Sequence, residues 1–289
     1  MKFKIATFYK YAQVESPDSL RDEIKTFCAE NRISGRILIG KEGINGAISG
    51  EVAPIEKFKS WIKGKNTFSS LTFREQNNQS FAHQRLVVKV RDEIVNFGHR
   101  VDLKNSGEQI SPKKLKGILD KKSNVILLDA RNVYETKVGA FKGAIKLPLK
   151  SFREFPKAIK SIENLKRKKI IMYCTGGVRC EKASAFLKES GFKKVYQLEG
   201  GIINYTNQFP DTHFEGSCFV FDSRLVSSVS SKITSKCDVC GSACDTIINC
   251  NNDGCDRLFV SCRSCQKSMN RNCSAECVAS SKQKPGVKV

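Results

Sequence analysis

Along the first hundred residues the apolar positions switch between strand and helix spacing. Ile5 to Tyr11 reads as a strand. Ser16 to Asn31 places Leu20, Ile24 and Phe27 on one face of a helix, with Ser16 or Ser19 available to cap its start. Gly35 to Ile39 and Gly46 to Gly50 predict two strands joined by Gly40-Lys41-Glu42-Gly43-Ile44-Asn45. That connection reads as a hairpin turn using Gly and Asn for positive φ, in preference to an anion-binding or catalytic loop. A second helix is marked by Ile55, Phe58, Trp61 and Ile62, and Phe73 with Leu86 to Val90 supplies the last strand material. The order βαββαβ over residues 1–98 is that of a ferredoxin-like α+β sandwich.

Residues 99–122 are rich in Lys, Ser and Gly and read as a linker, with Ser111-Pro112 as a helix start. Over 123–217 strand and helix alternate, which predicts a parallel α/β sheet covered on both faces. Lys169 to Tyr173 is a short apolar strand, and Glu181 to Ser190 carries Ala183, Phe186 and Leu187 at helical spacing before Gly191. Between them runs Cys174-Thr175-Gly176-Gly177-Val178-Arg179-Cys180. Adjacent glycines at a strand–helix junction turn successive N–H groups inward, and the helix dipole adds its positive end. A cysteine at the mouth of such a cradle ionises early. Arg179 supplies a fixed cation beside it. Four residues separate Cys174 from Arg179; cysteine phosphatases hold phosphate in a loop one residue longer, so this ring suits a persulfide sulfur or a small oxyanion. Cys180 either resolves an oxidised Cys174 as a disulfide or faces the core from the helix start. Lys166 to Lys169 is a basic block leading into the opposite end of the strand.

The chain carries a formal charge of +21 over 289 residues. An excess of that size points to a polyanionic partner, nucleic acid above all. Arg74, Arg85, Lys89 and Arg91 are candidates for a basic face. No apolar stretch has the length of a membrane span, and no secretory signal core is visible, so a cytoplasmic protein is expected. His83 and His99 have no cysteine near them and read as surface or core-edge residues.

Of the 13 cysteines, nine fall within Cys237 to Cys277. In a reducing compartment such crowding reads as metal binding. Cys237/Cys240 and Cys262/Cys265 are knuckle-type pairs; Cys250/Cys255 and Cys273/Cys277 add two more. Together they suffice for two four-thiolate sites, with Cys244 spare. Structural zinc is the expected metal and an iron–sulfur cluster its rival. Spacing does not say which pairs share a site. The cysteine-rich module is expected over residues 218–289.

The Cys174 to Arg179 loop resembles the active-site loop of the rhodanese family. Val125 to Arg131, ending in Asp129-Ala130-Arg131, resembles the opening strand of that domain. Glu135, Gly139, Gly143, Ala144 and Leu147-Pro148-Leu149 follow at matching spacings, and Val195 to Gly201 resembles the last strand with its Gly-Gly turn. Ala140 departs from the pattern, standing where many rhodaneses carry His. The tail segments Cys237 to Asp245, Asn249 to Cys255, Leu258 to Val260 and Cys273 to Cys277, with Cys174 to Ser184 and Glu199 to Ile203, closely resemble one subfamily: the bacterial rhodanese-type tRNA uridine 5-hydroxylases (TrhO family). The N-terminal region is similar to the acylphosphatase-like domain that precedes this group.

That resemblance implies a monooxygenase-type oxidoreductase that converts the wobble uridine of tRNA to 5-hydroxyuridine with oxygen as co-substrate. Cys174 would be the reactive centre, as a persulfide or another oxidised sulfur. The Gly176, Gly177 and Val178 amides and Arg179 would stabilise its charge, and Asp129 and Arg131 would support the loop. The tRNA is expected to bind through its anticodon region, with no obligatory protein partner. Two alternatives stand beside it: a sulfurtransferase delivering sulfane sulfur to an acceptor such as tRNA, which the loop alone favours, and a non-catalytic RNA-binding adaptor. Nothing in the chain matches a flavin fingerprint, a haem site or a two-His-one-carboxylate iron site.

Overall fold

The structure, a computed structural model, describes residues 2–280. Met1 and residues 281–289, the end of the cysteine-rich segment, lie outside the described residues. The chain opens with β1 (Phe3–Tyr11), α1 (Pro17–Glu30), β2 (Ser34–Gly40), β3 (Gly43–Glu51), α2 (Val52–Lys63), β4 (Phe73–Asn78) and β5 (Leu86–Val90). They form a five-stranded sheet in the order β4-β1-β3-β2-β5.

The first four strands are antiparallel neighbours in the ferredoxin-like arrangement. The sequence expectation is corrected at its end. The closing strand of βαββαβ is β4, while Leu86–Val90 is an additional strand lying parallel to β2. It covers the N–H and C=O groups that β2 would otherwise leave as an open edge, and Val88 joins the core.

Gly40 pairs directly with Gly43, so Lys41 and Glu42 form a tight hairpin tip as read, but only Gly43 takes positive φ; Asn45 lies in extended β3. Gly43 has φ +144°, and a side chain there would run into the Lys10 carbonyl on β1. Neither serine caps α1. Ser16 occupies the cap position without a side-chain bond, and the Ser19 hydroxyl turns to Glu23 instead. His83 is buried at the core edge, its Nδ1 3.0 Å from the Ser49 hydroxyl.

The segment read as a linker is partly structural. It contains β6 (Glu108–Ile110) and α3 (Pro112–Asp120), whose start is capped by the Ser111 hydroxyl accepting from the Lys114 amide. There follow β7 (Ile126–Asp129), α4 (Val133–Val138), β8 (Gly139–Phe141), β9 (Ile145–Lys146), α5 (Phe155–Ala158), β10 (Lys169–Tyr173), α6 (Val178–Glu189), β11 (Lys194–Leu198) and α7 (Gly201–Gln208). Strands β6-β11-β10-β7-β9 make an all-parallel sheet. Its central strand, β10, sends Ile170 and Met172 into one core and Ile171 and Tyr173 into another. Burial on both faces is why its sequence is continuously apolar.

Strand β12 (Phe214–Phe219) pairs with β8 and with β13 (Val226–Ser228). The tail adds the hairpin of β14 (Ile247–Asn249) and β15 (Leu258–Val260), then α8 (Arg263–Ser268) and α9 (Ala275–Ser280).

The N-terminal sheet is seated on α6, the helix that follows the cysteine loop. Lys182 is buried there and donates to Glu42 at 2.9 Å and Glu93 at 2.8 Å. The Tyr9 hydroxyl donates to Glu181 at 3.1 Å and the Tyr11 hydroxyl to the Val178 carbonyl at 3.3 Å. Removing Lys182 would strand two partly buried carboxylates, a loss on the order of 2–5 kcal/mol.

Candidate active site

Cys174 lies directly after β10, at the C-terminal end of the parallel sheet where open α/β folds place their ligands. The loop turns through Gly177, whose φ of +102° only glycine adopts without strain, and α6 begins at Val178. This conformation aims the Gly177 amide at the Cys174 sulfur, 3.1 Å away. Burial pushes the Cys174 thiol up, because Cys174 is wholly inaccessible. The Cys180 thiol, the Arg179 charge and the amides of Arg179 and Gly177 outweigh that penalty and bring it down to about 6. Cys28 and Cys218, buried without such donors, are pushed up to about 12. A side chain at Gly176 would meet open space, so the loop faces outward there.

Arg179 adds its charge beside Cys174, and its side chain has a second partner. Its guanidinium is held by the buried Glu135 carboxylate in a bidentate pair at 2.6 and 2.7 Å. Glu135 also accepts from the Thr175 hydroxyl at 3.2 Å and from the Asn132 amide at 3.1 Å, which caps α4. Cys174 therefore feels Arg179 through its main-chain N–H and its charge, while the fork of the guanidinium braces the loop. Cys180 packs in the same core cluster as Cys174 and also donates to it; both cysteines are free thiols.

Asp129 and Arg131 form a second, fully buried pair. The Arg131 Nε and Nη2 donate to Asp129 at 2.9 and 2.7 Å, and Nη2 also reaches the Gly139 carbonyl at 2.7 Å. They tie the end of β7 to the start of β8, below the loop. Ala140 is buried in β8 opposite Glu215 and brings no titratable group of its own.

Sequence reasoning missed Tyr9 and Tyr11, which the N-terminal domain brings to Gly177, Val178 and Glu181. A cleft of about 1120 Å³ between the two sheets is lined by Tyr9, Tyr11, Lys41, Arg74, Lys104 and Glu181, among others. The Arg74 guanidinium lies 5.3 Å over the Tyr9 ring. Of the four cations singled out in the sequence, Arg74 alone lines this cleft; Arg85, Lys89 and Arg91 do not.

In the tail, the eight paired cysteines gather into two groups, Cys237/Cys240/Cys262/Cys265 and Cys250/Cys255/Cys273/Cys277, the sulfurs of each within 4.8 Å of one another. The pairs interleave because the β14–β15 hairpin brings together the segments flanking it and separates them from its tip. Cys240 and Cys262, Cys255 and Cys273, and Cys273 and Cys277 stand 3.7 Å apart, sulfur to sulfur. Tetrahedral thiolates bound to one ion at zinc distance are about 3.8 Å apart, so each group fits a single metal ion. Cys244 belongs to neither, as expected.

Three family models match in succession: the UPF0176 acylphosphatase like domain over residues 3–94, the rhodanese-like domain over 111–208 and the rhodanase C-terminal domain over 215–278. A tRNA uridine(34) hydroxylase of Cytophaga hutchinsonii is 39% identical over 288 residues, covering 98% of this chain and 92% of the relative. The chain belongs to the tRNA uridine(34) hydroxylase family. A relative of that name from Wigglesworthia glossinidia brevipalpis is 40% identical, covering 96% of this chain and 91% of its own length. Another, from Protochlamydia amoebophila, is 34% identical with 98% and 90% covered.

The brace on Arg179 makes a direct prediction. Glu135→Ala leaves a buried guanidinium without its partner, a loss of about 3–5 kcal/mol. Urea unfolding followed by circular dichroism should show a clearly lower midpoint for Glu135→Ala, with Glu135→Gln in between. An unchanged midpoint would contradict the brace.

Proposed function

We propose that this chain hydroxylates uridine 34 of tRNA to 5-hydroxyuridine, with Cys174 as the reactive, persulfide-type sulfur and molecular oxygen as co-substrate. The observation that carries the reading is an intact Cys174 loop, with its thiol brought down to about 6, in a chain related to the named hydroxylases over nearly its whole length. At neutral pH the sulfur is a thiolate, ready to take the outer sulfur of a sulfane donor by forming the new S–S bond as the donor's old one breaks. The ring then meets the charged terminal sulfur with inward N–H groups, Gly177 foremost. Thr175, Gly176, Gly177, Val178 and Arg179 form the cradle, Cys180 donates to the sulfur, and Asp129 and Arg131 hold the floor. A monooxygenase-type reaction puts one oxygen atom into the base and reduces the other to water with electrons from a reductant.

The charge of +21 supports tRNA as the partner, with the anticodon region brought to the loop. A tRNA substrate also supports a cytoplasmic location, and no described helix is long and apolar enough to cross a membrane. The tail clusters fit zinc, each closed by four thiolates and so structural in kind.

Nucleoside mass spectrometry tests the reaction. In cells lacking this gene and any competing hydroxylation route, wild type should restore 5-hydroxyuridine and Cys174→Ala should leave it at background. Unchanged hydroxyuridine with loss of a thiolated nucleoside would replace this reading with the sulfurtransferase one. For the tail, elemental analysis of the purified protein should return two zinc ions per chain. Stoichiometric iron in their place would overturn the zinc assignment.

A further inference from the structure

The two most exposed phenylalanines among the described residues are Phe221, at 52%, and Phe81, at 40%. Neither belongs to a hydrophobic core cluster. Scattered apolar residues on a surface call for no explanation, and Phe81 packs its ring on Phe3, 5.0 Å between centroids; Phe221 is the one that meets the cysteine loop. The two sit on loops from different domains that are latched together. The Ser223 amide and hydroxyl both donate to the Ala82 carbonyl, at 2.8 and 2.7 Å, and Arg224 reaches Gln76 at 3.2 Å.

Phe221 also touches the cysteine loop. The Arg179 guanidinium lies 5.6 Å from its ring centroid, and the Phe219 ring meets it edge-on at 5.1 Å. Both neighbours leave about half of the Phe221 residue open to solvent. Arg179 is the residue whose amide stabilises the Cys174 sulfur. An exposed aromatic ring therefore borders the reactive loop, one side chain removed from the sulfur, on a protein of charge +21.

We propose that Phe221 is a stacking platform for unpaired bases of the tRNA anticodon loop, positioning uridine 34 at the Cys174 cradle. Single-stranded RNA is held by stacking its bases on aromatic rings while cations attend the backbone. A duplex stem keeps its bases stacked on one another and offers the ring nothing, so the platform selects loop over stem. Phe221 is a positioning residue, and the proposal rests on the tRNA reading given above.

The test uses the full chain with two RNAs, an anticodon stem–loop containing uridine 34 and a fully paired duplex of equal length. Phe221→Ala should weaken stem–loop binding and raise KM by about tenfold with kcat nearly kept, and leave duplex binding unchanged. Phe221→Tyr should restore wild-type behaviour, whereas Phe221→Leu, which keeps apolar bulk without a π face, should resemble Ala. Phe221→Trp should add fluorescence that the stem–loop quenches beyond the wild-type signal. Unchanged affinity and KM in Phe221→Ala would overturn the platform while leaving the reaction standing. Stem–loop binding that depends on an aromatic at 221, in a protein that leaves uridine 34 unmodified, would support the platform and sink the reaction.

Discussion

A negatively charged sulfur without solvent contact is the constraint around which the rest of this structure is arranged. Water cannot stabilise the Cys174 thiolate, so the chain must supply fixed donors. The loop does so with main-chain N–H groups, which need a glycine in the left-handed region at Gly177, and with the thiol of Cys180. It adds the charge of Arg179, which is itself buried and would be intolerable alone. Glu135 answers that charge, and its remaining lone pairs are used by Thr175 and by the start of α4. Each stabilising group thus creates a need that the next residue meets, and the chain of needs ends only in regular secondary structure.

The same logic reaches across domains. Helix α6 carries the loop at its start and receives the N-terminal sheet on Tyr9, Tyr11 and the Lys182 ion pairs. Lys182 is as buried as a core residue, yet its partners Glu42 and Glu93 both come from the other domain. The hairpin tip at Lys41 and Glu42 therefore acts as a docking device. Seating the N-terminal domain here builds one wall of the cleft lined by Tyr9, Tyr11 and Glu181, and the latch between Ser223 and Ala82 closes the third domain onto the first.

The parts of this architecture legible in the sequence were those governed by short-range rules. The strand–loop–helix around Cys174, the buried periodicity of β10 and the knuckle spacings of the tail depend on neighbours within a few residues. Strand β4 was nearly invisible: Phe73-Arg74-Glu75-Gln76-Asn77-Asn78 has a single apolar position, because an edge strand with half-buried polar side chains needs no alternation. The edge role of Leu86–Val90 and the inclusion of β6 in the second sheet are decided by partners about fifty and ninety residues away, which no local pattern encodes. Glu135 stood out only as part of a family spacing, and its function as the partner of Arg179 follows from a pairing over 44 residues. The pairing of tail cysteines was set by a hairpin whose strands are only three residues each.

The account depends most on Cys174 being a thiolate at neutral pH, and its ionisation can be followed directly. The ultraviolet thiolate absorbance that wild type shows and Cys174→Ser lacks, which needs no reagent to reach the buried sulfur, should rise with pH to a midpoint of about 6 and level off above it. Lowering the pH through that value protonates the sulfur and removes the reactive form. A midpoint near the ordinary thiol value of about 8.5 would contradict the account, because the loop would then be a well-packed turn with no preference for a charged sulfur.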